Sequence, residues 1–288
     1  LSAKKFPDQL KTFVNLSLAQ VWEDKGNSLN ENELLSLRED FDKDTVPNDV
    51  LVITAGVDIQ DTSIHISFLG FTSKEIIHVI HHVVISGDPS TMMLWQSLDK
   101  ELDQVFTRRD GIRIKVAGAC VDSGGHFTQN VYAYCKTRFH KRIFAIKGVA
   151  GDRAIFPKRA SLNNTARIPL FLIGVDSAKD IIFNRVRREG LVKFSNTLDQ
   201  DYFSELISER VVTRFRNGNP IRVYERTKRH NEALDCMVYA YANFMGINPN
   251  FKVIEKNLKK SGQEKVKENP RPKNKTVLRN NFINSWKN

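Results

Sequence analysis

The sequence contains few cysteines and no long apolar run, and each of these absences excludes a class of protein. Its three cysteines, Cys120, Cys135 and Cys236, are scattered without a Cys-x-x-Cys pair, which argues against a structural zinc site and fits a reducing compartment. No apolar run approaches the roughly 18 residues that a membrane span requires, and the N-terminus does not resemble a signal peptide. We therefore expect a soluble, intracellular protein without a membrane partner.

The sequence also lacks a Gly-x-x-x-x-Gly-Lys-Ser/Thr loop, which excludes a phosphate-binding-loop ATPase. It begins at Leu1 without a methionine, so we expect a fragment of a longer protein. Of the formal net charge of +11, residues 251–288 contribute eleven Lys and Arg against three Glu, and the rest is nearly neutral. This basic tail suits nucleic acid or an acidic partner protein, although a solvated, disordered terminus explains it equally well.

Two aspartates follow apolar runs that read as buried strands. The first run, within Val50–Asp61, is rich in β-branched residues and delivers Asp58 to the rim of a sheet. The second, Ile114–Val121, is followed at once by Asp122. Buried carboxylates need a cation, a proton or solvent to be tolerated, so two of them at strand ends predict one shared site.

The segments between these aspartates predict how the strands are arranged. Short turns after Asp58 indicate an antiparallel meander of three strands, followed by a helix that begins at Asp88-Pro89. That crossover makes the strand before Asp122 parallel to the first, so both acids emerge at one edge. His78 and His82 share a face of the third strand, which we interpret as an exposed edge because no third ligand is near.

A third carboxylate lies on the last strong helix, Asn231–Met245. Glu232 lies near the start of the helix, where the helix dipole stabilises a negative charge. Asp235 lies in an apolar run and requires a partner for its charge. A metal ion shared with the two strand-end acids is such a partner. The arrangement predicts a ribonuclease-H-like α/β fold, with a mixed central sheet flanked by helices, in which three oxygen ligands hold two Mg²⁺ or Mn²⁺ ions ~4 Å apart.

Five segments spread along the chain resemble the C-terminal nuclease half of the large terminase subunit of lambda-like tailed bacteriophages. The resemblance runs in order from roughly Leu10 to Phe244 and is carried by Thr54–Asp61, Val121–His126, Phe144–Gly148, Gly174–Asp180 and Asn231–Cys236. It implies an endonuclease that cuts concatemeric viral DNA during packaging, in the cytoplasm of the host cell. Double-stranded DNA, the portal protein and the small terminase subunit are the partners that it implies.

The resemblance also implies a domain organisation, because an ATPase motor domain precedes the nuclease in such proteins. Residues 1–49 are then a connector from an upstream ATPase domain that is missing here. Residues 50–249 form the nuclease domain, and residues 250–288 form a basic, flexible tail that the resemblance associates with portal docking.

The family's site residues can be carried over to matching positions. The resemblance assigns metal binding and catalysis to Asp58, Asp122 and Asp235, and a contact with the scissile phosphate to Lys147. The supporting candidates are Asp61, Glu232, His126 and Asp176. Of these, His126 contacts phosphate, assists a proton transfer or is a simple loop residue, and Asp176 caps its helix or lines the site.

A basic hairpin is predicted around Asn217-Gly218-Asn219-Pro220. Its arginines, Arg214 and Arg216 on one strand and Arg222 on the other, can lie along a phosphate backbone. An ordinary solvated face explains them as well.

Three other readings stay open at this stage. An actin-like or sugar-kinase-like ATPase also has an aspartate after its first strand, but it needs a glycine-rich turn that Asp58–Thr62 lacks. A catalytically silent DNA-binding or portal-docking module needs only a basic surface. Resolvases and transposases share the fold and the chemistry, so the reaction type is better founded than the biological role.

Overall fold

The computed structural model describes residues 29–162, 167–188, 190–216 and 219–258. The strands are β1 (Arg38–Glu39), β2 (Val52–Ile59), β3 (Ser63–Phe71), β4 (Ile77–Ser86), β5 (Val105–Thr107), β6 (Arg113–Asp122), β7 (Ile143–Val149), β8 (Leu170–Gly174), β9 (Val192–Ser195), β10 (Glu209–Arg216) and β11 (Asn219–Arg226). The helices are α1 (Glu31–Ser36), α2 (Met92–Leu102), α3 (Thr128–Arg138), α4 (Val175–Val186), α5 (Gln200–Leu206) and α6 (Glu232–Ile247), with a 3-10 turn at Phe139–Lys141.

The central sheet has the order β1-β9-β4-β3-β2-β6-β7-β8, and β5 pairs with β6 at its side. Strands β2, β3 and β4 form an antiparallel meander, whereas β6, β7 and β8 run parallel to β2. The predicted ribonuclease-H-like fold, with a mixed sheet flanked by helices, is confirmed. Because β2 and β6 are parallel neighbours, their C-terminal ends lie at the same edge of the sheet.

Helix α6 packs directly against β2, and Gly56 permits this close approach. A Cβ atom at that position would lie 1.9 Å from the carbonyl oxygen of Cys236 and 2.5 Å from the amide nitrogen of Ala240. Thr54 donates a hydrogen bond of 2.7 Å to the carbonyl of Ala240 on the same face. The helix is buried along nearly its whole length, so its position on the sheet is set by backbone contact.

Residues 29–49 pack against the sheet. Strand β1 pairs in parallel with β9, and Leu34 and Phe41 are fully buried in the two core clusters. The chain divides into two compact units, Leu1–Phe251 and Lys252–Asn288. Residues 252–258, the described part of the second unit, are helical. Among the residues that the structure describes, no helix is long and apolar enough to cross a membrane.

Two local predictions were wrong. Helix α2 begins after Thr91, because the carboxylate of Asp88 accepts hydrogen bonds from the amide and hydroxyl of Ser90 and forms a turn instead of a cap. The first half of strand β4 is not an exposed edge, because β9 pairs with it in parallel and leaves His78 only 1% exposed. That pairing joins residues more than 100 positions apart, which local periodicity cannot reveal.

Candidate active site

Three elements bring the three predicted metal-binding carboxylates together. Asp58 precedes the last residue of β2, Asp122 is the last residue of β6, and Asp235 lies in the first turn of α6. In the parallel pair, Val57 is the register partner of Val121. The next residue on each strand is an aspartate, so Asp58 and Asp122 lie side by side at one edge of the sheet. The contact of α6 with Gly56 carries Asp235 to the same place.

The electrostatics of these carboxyls show how closely they are grouped. Burial, and then the charges of Asp235 and Asp122, raise the pKa of Asp58 from its ordinary value of 3.8 to about 8. Burial also raises the pKa of Asp235 to about 6, although the Lys179 ammonium opposes the change. The pKa of Asp122 is raised by burial and opposed by the amides of Gly124 and Ser123 and by Lys147. The site therefore holds more negative charge than its surroundings compensate.

The sequence analysis missed a buried ionic cluster beside Asp235. The ammonium of Lys179, on α4, lies 2.7 Å from a carboxylate oxygen of Glu209 and 3.8 Å from one of Asp235. The side-chain amide of Asn231 donates to Asp235 at 2.8 Å and to Glu209 at 3.2 Å. A signal was present, because Lys179 shares the helical face of the buried Ile182, Phe183 and Val186. A lysine on such a face needs an acidic partner.

Two other polar side chains lie close to the carboxylates. Gln60 donates a hydrogen bond of 2.5 Å to Asp58, which lowers the cost of burying that carboxylate. Glu232 is 7% exposed, and its carboxylate accepts the backbone amide of Asn231 at 3.0 Å. Glu232 also raises the pKa of Asp58, which places it within electrostatic reach of the group.

The remaining predicted residues lie around the rim. Lys147 is exposed on β7 and lowers the pKa of Asp122. His126 and Asp61 are both exposed and form an ion pair at 2.8 Å, which raises the pKa of that imidazole. Asp176 makes no capping hydrogen bond within its own helix. It accepts the backbone amide of Gly151 at 2.7 Å and so holds the loop after β7.

The hairpin of β10 and β11 forms as predicted, but its arginines lie on two faces. Arg214 contacts Glu225 at 2.6 Å. Arg222 pairs with Thr213, whose side chain points to the face opposite that of its neighbour Arg214. Arg222 therefore lies on that opposite face, where its guanidinium is 3.2 Å from Asp180. Arg216 pairs with Asn219 at the end of the hairpin. Arg226, on the same strand as Arg222, lowers the pKa of Asp235, so one end of the hairpin reaches the carboxylates.

The donor set of this site fits a hard divalent cation. All three central ligands offer carboxylate oxygens, which Mg²⁺ and Mn²⁺ prefer. The raised pKa of Asp58 fits as well, because a bound cation would compensate the repulsion that keeps its proton in place. Asp58, Asp122 and Asp235 could hold such an ion, and Glu232 is close enough to support them.

Comparison with known proteins gives consistent matches. Residues 1–257 match the sequence profile of the family described as "Terminase large subunit gpA, endonuclease domain". The chain is 29% identical over 259 residues to the "Terminase, large subunit" of Enterobacteria phage P21, and this alignment covers 84% of this chain and 40% of that protein. It is 30% identical over 246 residues to the "Terminase, large subunit" of Escherichia phage lambda, and this alignment covers 81% of this chain and 38% of that protein.

One solved structure is also similar, the crystal structure of the HK97 bacteriophage large terminase. It matches with a TM-score of 0.42 and 12% sequence identity, over 84% of this chain and 48% of that chain. The chain spans about two fifths of the length of the two phage proteins named above.

Proposed function

This chain belongs to the family of terminase large-subunit gpA endonuclease domains, and we propose that it cuts concatemeric viral DNA by metal-dependent phosphodiester hydrolysis. The observation that carries the proposal is the grouping of Asp58, Asp122 and Asp235 at one sheet edge. Burial raises the pKa of all three, and neighbouring carboxylates add to the increase for Asp58 and Asp235. Carboxyls left uncompensated in this way form a site for divalent cations, Mg²⁺ or Mn²⁺, and for two of them if the site resembles other two-metal nucleases.

Each residue of the proposed site has a role that follows from its position. The ions, when bound, would supply an activated water and positive charge near the leaving 3′-oxygen. Asp58 and Asp122 would hold them from the sheet, and Asp235 from the helix. Lys147, exposed beside Asp122, would contact the scissile phosphate and stabilise its developing charge. Lys179 and Asn231 contact Asp235 and hold it in place.

The biological setting is part of the proposal. We assign the chain to a longer terminase large subunit, in which an ATPase motor domain precedes residues 1–49. Residues 50–249 act as the nuclease. The portal protein and the small subunit are the proposed partners of the whole protein, and the host cell cytoplasm is its proposed location. Residues 250–288 form the basic tail.

The direct test is nicking of plasmid DNA by this chain with Mn²⁺, with Mg²⁺ and with EDTA. We expect cutting with either ion, none with EDTA, and a loss of at least about 100-fold in Asp122→Ala. Asp103→Ala is the matched control, because this exposed aspartate after α2 pairs with Lys141 at the surface. Equal cutting by wild type and Asp122→Ala would refute the site. DNA binding without cutting under any condition would favour the silent-module reading.

The hairpin arginines are expected to contribute to DNA binding through phosphate contacts. Arg214→Gln and Arg222→Gln should each weaken binding similarly for all sequences and reduce the slope of log affinity against log salt by about 1. Arg113→Gln is the matched control, because this exposed arginine begins the strand that ends at Asp122. Filter binding or fluorescence anisotropy over a salt series measures the slopes. Unchanged slopes in both hairpin variants would show that the hairpin is an ordinary solvated surface.

A further inference from the structure

A second group of side chains of metal-binding types lies on the α6 side of the sheet, next to the three aspartates but made of other residues. His65 on β3, His82 on β4 and Glu205 on α5 each bring one ligand atom within 4.8 Å of the other two. The two imidazole rings are 6.0 Å apart between centroids. Tyr202 on α5 lies against the His82 ring, with centroids 5.2 Å apart, so the third ligand that local sequence lacks comes from a residue 123 positions after His82.

Each histidine in this cluster has one ring nitrogen that is held by a serine hydroxyl. Nε2 of His65 lies 3.1 Å from Oγ of Ser63, and Nδ1 of His82 lies 2.9 Å from Oγ of Ser67. Nδ1 of His65 is buried and has no hydrogen-bond partner among the described residues. Metal-binding imidazoles are typically oriented in this way, with one nitrogen on an outer polar group and the other on the ion.

The two histidines of this cluster are in the protonation state that metal binding requires. Burial lowers the pKa of His65, and burial lowers that of His82 to about 3, so both imidazoles are neutral near pH 7. Burial raises the pKa of Glu205, and the nearby Glu232 carboxylate adds to the change. Neutral imidazoles bind a transition-metal ion through their lone pairs.

We propose that His65, His82 and Glu205 form a binding site for a single transition-metal ion, with Zn²⁺ as the best fit to two imidazoles and one carboxylate. The donor set differs in kind from the all-oxygen set of the three aspartates, so the two sites select different ions. Nitrogen and oxygen ligands bound at about 2.0–2.1 Å around a tetrahedral ion lie about 3.4 Å apart. The three ligand atoms, all within 4.8 Å of one another, are close enough to reach this arrangement by small side-chain movements.

The position of the site indicates what the ion would do. Oε2 of Glu205 accepts the backbone amide of Ala233 at 2.9 Å, in the first turn of α6. The carbonyl of His65 accepts the thiol of Cys236 at 3.2 Å, and His65 is the register partner of Asp58. An ion here ties β3, β4 and α5 to the start of the helix that carries Asp235. These are positioning residues, and the proposal stands whether or not the aspartates cut DNA.

The test is isothermal titration of the full 288-residue chain with Zn²⁺, supported by the visible spectrum of Co²⁺ as a substitute ion. The titration is done in an Asp58→Asn/Asp122→Asn background, which removes the carboxylate site. We expect one ion per chain, with a tetrahedral Co²⁺ spectrum, and binding at least about 100-fold weaker in His82→Ala and Glu205→Gln. Ser67→Ala should weaken binding about 10-fold, because it removes the hydroxyl that orients His82.

His81→Ala is the matched control, since His81 is the neighbouring residue on β4 but stacks on Phe68 at the opposite face. It should bind Zn²⁺ like its parent. Glu205→Gln keeps an oxygen for the amide of Ala233, so it separates loss of the ligand from loss of the fold. Zn²⁺ binding that is absent in the parent, or that survives in both His82→Ala and Glu205→Gln, would overturn the proposal.

Discussion

Replacing Asp58 with asparagine is expected to abolish DNA cleavage and, at the same time, to stabilise the metal-free protein. Loss of a central carboxylate should reduce metal-dependent cutting by at least about 100-fold. The gain in stability follows because Asp58 is 5% exposed and is surrounded by other acids. Asparagine keeps an oxygen for the hydrogen bond from Gln60 and carries no charge.

The sign of the pH dependence follows from the raised pKa. The folded protein holds the Asp58 proton up to about pH 8, whereas the unfolded chain releases it near 3.8. Stability contributed by the protonated carboxyl is therefore complete below pH 4 and falls as the pH rises to 8. Each pKa unit corresponds to about 1.4 kcal/mol, so above pH 8 the variant should be more stable by a few kcal/mol.

Thermal unfolding in EDTA at pH 4 and at pH 8 measures this difference. The Tm values of wild type and Asp58→Asn should nearly coincide at pH 4 and differ by about 5 °C or more at pH 8. Asp61→Asn, an exposed aspartate three residues away that pairs with His126, is the matched control and should gain nothing. Added Mn²⁺ should stabilise wild type and leave Asp58→Asn nearly unchanged. A variant that is less stable than wild type at pH 8 would show that Asp58 is not under repulsion.

Replacing Lys179 with methionine is expected to cause the largest loss of stability among single changes near the site. Lys179 is 6% exposed and is the cation between Glu209 and Asp235. Breaking a buried ion pair from one side leaves an uncompensated charge and costs about 3–5 kcal/mol. For a domain of this size, that lowers Tm by roughly 10 °C.

Thermal unfolding and a double substitution test this prediction. Lys179→Met/Glu209→Met should recover part of the loss, because the second change removes one of the stranded carboxylates. Lys141→Met is the control, since its ion pair with Asp103 is exposed at both ends and contributes about 1 kcal/mol or less. Without the Lys179 charge the pKa of Asp235 rises further, so cutting should also require a higher pH. A loss no greater than that of Lys141→Met would contradict the assignment.

The central carboxylates could be anticipated from sequence because their positions depend on local patterns. An apolar β-branched strand that ends in an acid places that acid at a sheet edge, and two such strands in parallel place Asp58 and Asp122 together. Asp235 was found as an acid inside an apolar helix. Each of these signals lies within about a dozen residues, and the structure brings the three residues to one place.

The contacts that sequence reasoning missed all depend on long-range pairing. Lys179 meets Glu209 only because β10 returns beside α4, and His82 meets Glu205 only because α5 packs over β4. The burial of His78 results from β9 pairing with β4. Amphipathic patterns predict which face of an element is buried, but they do not identify the element that covers it.

The place of α6 near the end of the folded unit has a consequence for how the protein is made. A ribosome synthesises β2 and β6, with Asp58 and Asp122, long before it reaches residues 232–247. Until then the sheet lacks both the helix that covers one of its faces and the third carboxylate. Since domains fold as units once enough chain has emerged, core and site are completed in the same step. A nascent or truncated chain that lacks residues 232–247 therefore lacks both the completed core and the third carboxylate.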